Sequence, residues 1–192
     1  MIMIIALSGP SGIGKGYIKK KLLATFPFLE EVGWFTTRQL RPDEMGGNRI
    51  SIITSEFNKL ADAGELVLVQ NLYGYRYGLH YKDLFPSPRI KLTELHTDNI
   101  VEALKINPAI IAIAFVTSDL SLLRKRLSIL RNTENATEIE ERVTAAEMEI
   151  KTILRHKQLF ISVIEVSEIS ETLISEQVIA ILSPYLKQKG EA

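Results

Sequence analysis

The chain has 192 residues, no cysteine, and equal numbers, 23 each, of Lys plus Arg and of Asp plus Glu. That length suits one compact domain with a full core, and the balanced charge points to neither nucleic acid nor an anionic membrane as partner. The lack of cysteine excludes disulfides, thiolate chemistry and cysteine-ligated zinc, and agrees with a reducing cytoplasm.

The first apolar run, Met1 to Leu7, lacks a basic leader segment and is too short to span a bilayer, so it is expected to be a core strand covered on both faces. It leads into Gly9-Pro10-Ser11-Gly12-Ile13-Gly14-Lys15-Gly16, and helical periodicity follows from Lys15 to about Thr25. Strand, glycine loop and helix in that order are the context of a phosphate-binding loop. Glycines let successive N–H groups turn inward around an oxyanion, the helix adds the positive end of its dipole, and Lys15 supplies a mobile charge for the β- and γ-phosphates. The pattern G-x-x-x-x-G-K is complete, but Gly16 stands where a Ser or Thr hydroxyl would reach magnesium. A nucleoside triphosphate is the expected ligand, and Lys19, Lys20 and Lys21 are expected on a solvated face.

From Gly33 the chain turns polar. Two arginines, Arg38 and Arg41, sit three apart in one loop. Strands are expected over Ile50 to Thr54 and Glu65 to Leu72, around a short helix from Ser55 to Ala63 capped by Ser55 and stopped by Gly64. Tyr73 to Gly78 reads as a turn. Residues 34 to about 84 thus read as a small β-rich lobe hung on an α/β core. Arg89 to Leu95 is a strand candidate, Asp98 to Lys105 a helix, and Ala109 to Val116 a second buried strand. Thr117-Ser118-Asp119 should cap a helix from Leu120 to about Leu130. A long helix from Glu138 to about Phe160, a strand from Ile161 to Val166 and an amphipathic helix from Ile174 to Leu186 complete the pattern. Alternating strands and helices predict a three-layer fold around a parallel sheet, with the glycine loop at the carboxyl end of its first strand.

Arg124, Arg126, Arg131 and Arg142 gather around the later helix-loop-helix. Phosphoryl transfer asks a protein mainly for positioned cations, and the planar arginine fork suits phosphate. Taken together with Thr36-Thr37-Arg38, Arg41-Pro42, Glu44, Gly47, Tyr77-Gly78, Leu123-Arg124-Lys125-Arg126-Leu127, Ile139, Ala145-Ala146 and Glu147, these blocks resemble guanylate kinases, in the family's order and at nearly its spacing over about residues 2 to 165.

The resemblance implies a single domain over 1–192, with a core (1–33, 85–125 and 147–192), a monophosphate-binding lobe (34–84) and a helical lid (126–146). It implies ATP and Mg²⁺ as cofactors and a phosphorylated small molecule as acceptor, in a cytoplasmic monomer or homodimer. Gly9, Pro10, Ser11, Gly12, Ile13, Gly14, Lys15 and Gly16 would bind ATP. Lys15 with Arg126, Arg131 and Arg142 would hold the transferring group, and Arg38, Arg41 and Tyr77 the acceptor's phosphate. The spacing from Leu127 to Arg131 is one residue longer than the family's.

The departures concentrate where guanine would be read. Trp34, Leu68 and Leu79 replace polar residues, Ile50 replaces a tyrosine ligand of phosphate, and Tyr17 replaces a threonine. Where the family carries an Asp-x-Asp pair, this chain has Leu92 and Glu94. Trp34, Leu68, Leu79 and Glu94 are therefore expected around the acceptor, in a pocket ill-suited to guanine. The expected activity is transfer of the ATP γ-phosphoryl group to the phosphate of GMP or a related molecule. The alternatives are an enzyme similar to the ribose 1,5-bisphosphate kinases, with which Asn48-Arg49-Ile50 shares a pattern, and a catalytically weak binding module.

Overall fold

The computed structural model describes residues 3–41, 44–85, 89–130, 135–168 and 171–187. Strand β1 (Ile4–Ser8) is buried at every position, as its unbroken apolar run requires. It lies at the centre of a parallel sheet that also contains β2 (Leu29–Glu31), β7 (Ile90–Glu94), β8 (Ile110–Val116) and β9 (Ser162–Glu165), in the order β2-β7-β1-β8-β9. Helix α1 (Lys15–Thr25) packs with α6 (Glu171–Lys187), whereas α3 (Thr97–Ile106) and α4 (Leu120–Leu130) pack against α5 (Ala136–Arg155). The result is the expected three-layer α/β fold, with the glycine loop leaving the carboxyl end of β1.

A second sheet, β4-β3-β6-β5, is built from β3 (Trp34–Thr36), β4 (Ile50–Ser51), β5 (Leu66–Leu72) and β6 (Tyr75–His80). Its base is continuous with the main core, since Trp34, Leu68 and Leu79 belong to the same hydrophobic cluster as β1 and β7. A bulge interrupts the β5–β6 register between Val67 and Gln70, where Leu68 takes a left-handed φ of 53°.

Several expectations are corrected. Tyr73 to Gly78 is not all turn: Tyr73 and Gly74, at φ 53° and 77°, form the turn and β6 begins at Tyr75. The strand at Ile50 ends at Ser51, and the helix after it, α2 (Thr54–Asp62), starts behind Ile53 with no side-chain cap from Ser55. The long helix α5 ends at Arg155, and a separate 3-10 turn spans Lys157–Leu159. Strand β2, three residues long, has no matching signal in the sequence.

Helices α4 and α5 have a small core of their own, formed by Leu127, Ile139 and Val143. Asn135 and Glu138 close a capping box at the start of α5. Among the described residues no helix is long and apolar enough to cross a membrane. Leu92, fully buried on β7, marks the centre of the main core. Leu92→Ala should therefore cost about 2–5 kcal/mol in urea unfolding; a loss below ~1 kcal/mol would show that the core closes over the missing side chain.

Candidate active site

The glycine loop can lie this close to the sheet only without side chains. Gly9 has φ 139°, and a Cβ there would fall 2.6 Å from the Phe115 carbonyl oxygen on β8. Any substitution would push the loop off the sheet edge. Lys15, the first residue of α1, folds back so that Nζ donates to the Gly9 carbonyl and, at 3.0 Å, to that of Pro10. From α4, Arg126 Nη1 donates to the Ile13 carbonyl at 3.2 Å. Two cations far apart in sequence thus converge on one loop. Ser8 anchors its start: its Oγ is 2.9 Å from Thr97 Oγ1, which donates to Glu149 Oε1 on α5 at 2.9 Å.

One turn along α1, Lys19 is not a solvated surface charge. Its Nζ lies 2.7 Å from Glu31 and 2.8 Å from Glu94, with the side chain only 18% exposed. Glu94 ends β7 opposite Leu7 of β1, which brings its carboxylate beside the loop. Burial works to raise the Glu94 pKa, but the charges of Lys19 and Lys15 outweigh it, with help from the Lys19 hydrogen bond and from Arg49, and hold it at about 2.

The acceptor-side residues form a second cluster. Glu44 accepts from Arg38 Nη2 through both oxygens at 2.8 and 2.7 Å, from the Arg41 backbone N–H at 2.9 Å, and from Arg49 Nη1 at 3.1 Å. Arg41 Nη1 is 3.5 Å away. Arg38 Nε donates to the Tyr77 hydroxyl at 3.3 Å. Glu44 thus brings Arg38 and Arg41 together, and Arg38 connects them to Tyr77. Burial would raise the Glu44 pKa, yet the Arg41 N–H and the arginine side chains bring it below the usual carboxylate value.

Arg142 is buried on α5 with its guanidinium 3.9 Å from the centre of the Tyr73 ring, so the expected lid meets the tip of the β5–β6 hairpin. Arg131 lies outside the described residues. Arg124 pairs on the surface with Glu140 at 2.9 Å. Trp34, Leu68 and Leu79 are 6%, 1% and 0% exposed core side chains, and the Trp34 indole N–H donates to Thr93 Oγ1 at 3.1 Å. Sequence reasoning missed Lys19, Glu31, Arg49 and Tyr73 as site residues; of these, only the proximity of Arg49 to the Arg38–Arg41 loop gave any signal.

Comparison with known proteins decides the family. The chain is 33% identical over 155 residues to the guanylate kinase of Lactobacillus delbrueckii subsp. bulgaricus, covering 77% of this chain and 74% of that one. It is 30% identical over 154 residues to the guanylate kinase of Lactobacillus acidophilus, with the same coverage. The chain belongs to the guanylate kinase family. Membership makes it an enzyme of the nucleoside monophosphate kinase kind. The crystal structure of guanylate kinase from Anaplasma phagocytophilum shares its fold, with a TM-score of 0.69 at 20% identity over 96% of this chain and 85% of that one. No family model matches the chain.

Because the folded-state pKa of Glu94 is depressed from 4.5 to about 2, its ion pairs contribute stability that is complete above about pH 4.5 and is lost as the pH falls towards 2. The stability gap between wild type and Glu94→Gln, from urea unfolding, should be constant above about pH 5 and narrow steadily to pH 3. A gap independent of pH would contradict the Lys19–Glu94 pairing.

Proposed function

We propose that the chain is an ATP-dependent phosphotransferase that moves the γ-phosphoryl group of ATP to the phosphate of GMP or a related phosphorylated small molecule. The observation that carries this reading is the convergence of Lys15 and Arg126 on the carbonyls of a single glycine loop. Cations held there would follow the negative charge that spreads over the moving phosphoryl oxygens.

In this reading the loop from Gly9 to Gly16 cradles the ATP phosphates with backbone N–H groups, and Lys15 and Arg126 contact the transferring group. Arg142, with Arg131, joins them from the lid (126–146). Its stacking on Tyr73 supports closure of the lid onto the lobe (34–84). Arg38, Arg41 and Tyr77 hold the acceptor's phosphate in line with the γ-phosphate, where positioning rather than covalent chemistry lowers the barrier. Mg²⁺ would arrive as the counter-ion of ATP, held by phosphate oxygens and water. The chain offers it little, since Gly16 has no hydroxyl, Leu92 is apolar and Glu94 is engaged by Lys19.

The acceptor's base receives less support than its phosphate. At the positions where the resemblance implies polar groups that read guanine, this chain has Trp34, Leu68 and Leu79, which are packed into the core, with the indole N–H held by Thr93. A polar edge desolvated without partners costs about 1–3 kcal/mol per group. This favours a phosphorylated acceptor other than GMP.

A coupled assay of ADP release across nucleoside monophosphates and sugar phosphates tests both levels. At least one acceptor should be turned over, and Lys15→Ala should abolish that turnover with an unchanged circular dichroism spectrum; undiminished turnover in the variant would refute the kinase reading. GMP itself should be used poorly. A kcat/KM for GMP above ~10⁵ M⁻¹s⁻¹, within the range of efficient enzymes, would show that guanine is read by other groups.

A further inference from the structure

The position of Arg49 is built from both sides. Before it, the Asn48 side chain donates to the Glu31 carbonyl at 2.7 Å, and the Asn48 carbonyl packs so closely on Gly33 that a Cβ there would lie 2.0 Å from it. Only glycine at position 33 allows that approach. After it, Ile50 pairs with Phe35 of β3. Ile50 is 44% exposed, whereas the Arg49 side chain, 24% exposed, reaches Glu44. Ile50 occupies the position that the family gives to a phosphate-binding tyrosine.

The two neighbouring arginine forks differ in what they have left to give. Arg38 spends Nε on Tyr77, Nη1 on the Gln39 carbonyl and Nη2 on Glu44. Arg49 spends Nη1 on Glu44, and a guanidinium carries five N–H donors. Glu31, on whose carbonyl Asn48 rests, also pairs with Lys19, which in turn holds Glu94 beside the glycine loop. The segment carrying Arg49 is thereby tied to Glu44 on one side and, through Asn48 and Glu31, to Lys19 on the other.

We propose that Arg49 is a direct ligand of the acceptor's phosphate, a third guanidinium beside Arg38 and Arg41 that supplies the hydrogen bond an isoleucine at position 50 is unable to donate, and that it selects a dianionic phosphate monoester. This assignment presupposes the acceptor site described under the proposed function. The charge of Arg49 also acts on Glu94, consistent with a place facing the loop.

Titration calorimetry with GMP and with ribose 5-phosphate, the second of which has no base, tests it in the whole chain, with ATP binding measured in parallel. Arg49→Ala should weaken both probes by about 10- to 100-fold, the worth of a charge-assisted hydrogen bond, and leave the ATP dissociation constant within about twofold. Arg49→Lys keeps the charge beside Glu44 but not the planar fork, and should fall between. Wild-type affinity in Arg49→Lys would mean that Arg49 only neutralises Glu44, and would overturn the proposal. If Arg38→Ala weakens the probes while Arg49→Ala does not, the Arg49 assignment alone fails. If wild type binds neither probe, or neither variant alters binding, the acceptor site itself is misplaced and the Arg49 assignment falls with it.

Discussion

Cations repel one another, and the site proposed for phosphoryl transfer needs many of them in one place. Two carboxylates make that possible here. Glu94 brings Lys19 to the edge of the glycine loop, with Lys15 close enough to help depress its pKa. Glu44 gathers Arg38, Arg41 and Arg49 in the lobe. Arg49 acts on both, so the two halves of the site are electrostatically joined. In a chain with no net charge, this local pairing, and not an overall positive field, creates a cationic site.

The backbone makes the pairing possible. Gly9 lets the loop press against β8, and Gly33 lets the segment carrying Arg49 press against the chain between β2 and β3. Each close approach moves charged groups, which are long and flexible, to positions fixed by main-chain packing. The buried chain Ser8–Thr97–Glu149 does the same for α5, linking the start of the loop to the helix that carries Arg142. Tyr73 completes that link from the lobe, and its left-handed φ is a strain that bulky residues seldom carry.

Much of this is legible in the sequence where the signal is local. The seven-residue apolar run before Gly9 and the spacing to Lys15 specify strand, loop and helix within sixteen neighbouring positions. Resemblance locates Arg38, Arg41 and Tyr77, whose partners then fall into place around Glu44. What stays hidden depends on distant partners. Lys19 looks like one of three lysines on a wet face, and only its pairing with Glu31 and Glu94 across two strands removes it from solvent. Strand β2 is too short to show periodicity. Tyr75–His80 carries the glycine and aromatic residues of a turn, and its pairing with β5 and β3 makes it a strand. Trp34, Leu68 and Leu79 align with base-reading positions, and alignment alone makes them pocket walls. The structure packs them into the core, where apolar side chains lower their free energy most.

A catalyst and a binding module on this fold differ in one observable, the product. The most direct measurement is ³¹P NMR of the protein with Mg²⁺, ATP and a panel of phosphorylated acceptors that includes GMP and ribose 5-phosphate. The account predicts ADP together with new phosphoanhydride resonances that split as coupled pairs, arising from a γ-phosphoryl group now attached to an acceptor's phosphate. ADP accompanied only by inorganic phosphate, or ATP left intact with every acceptor, would contradict it.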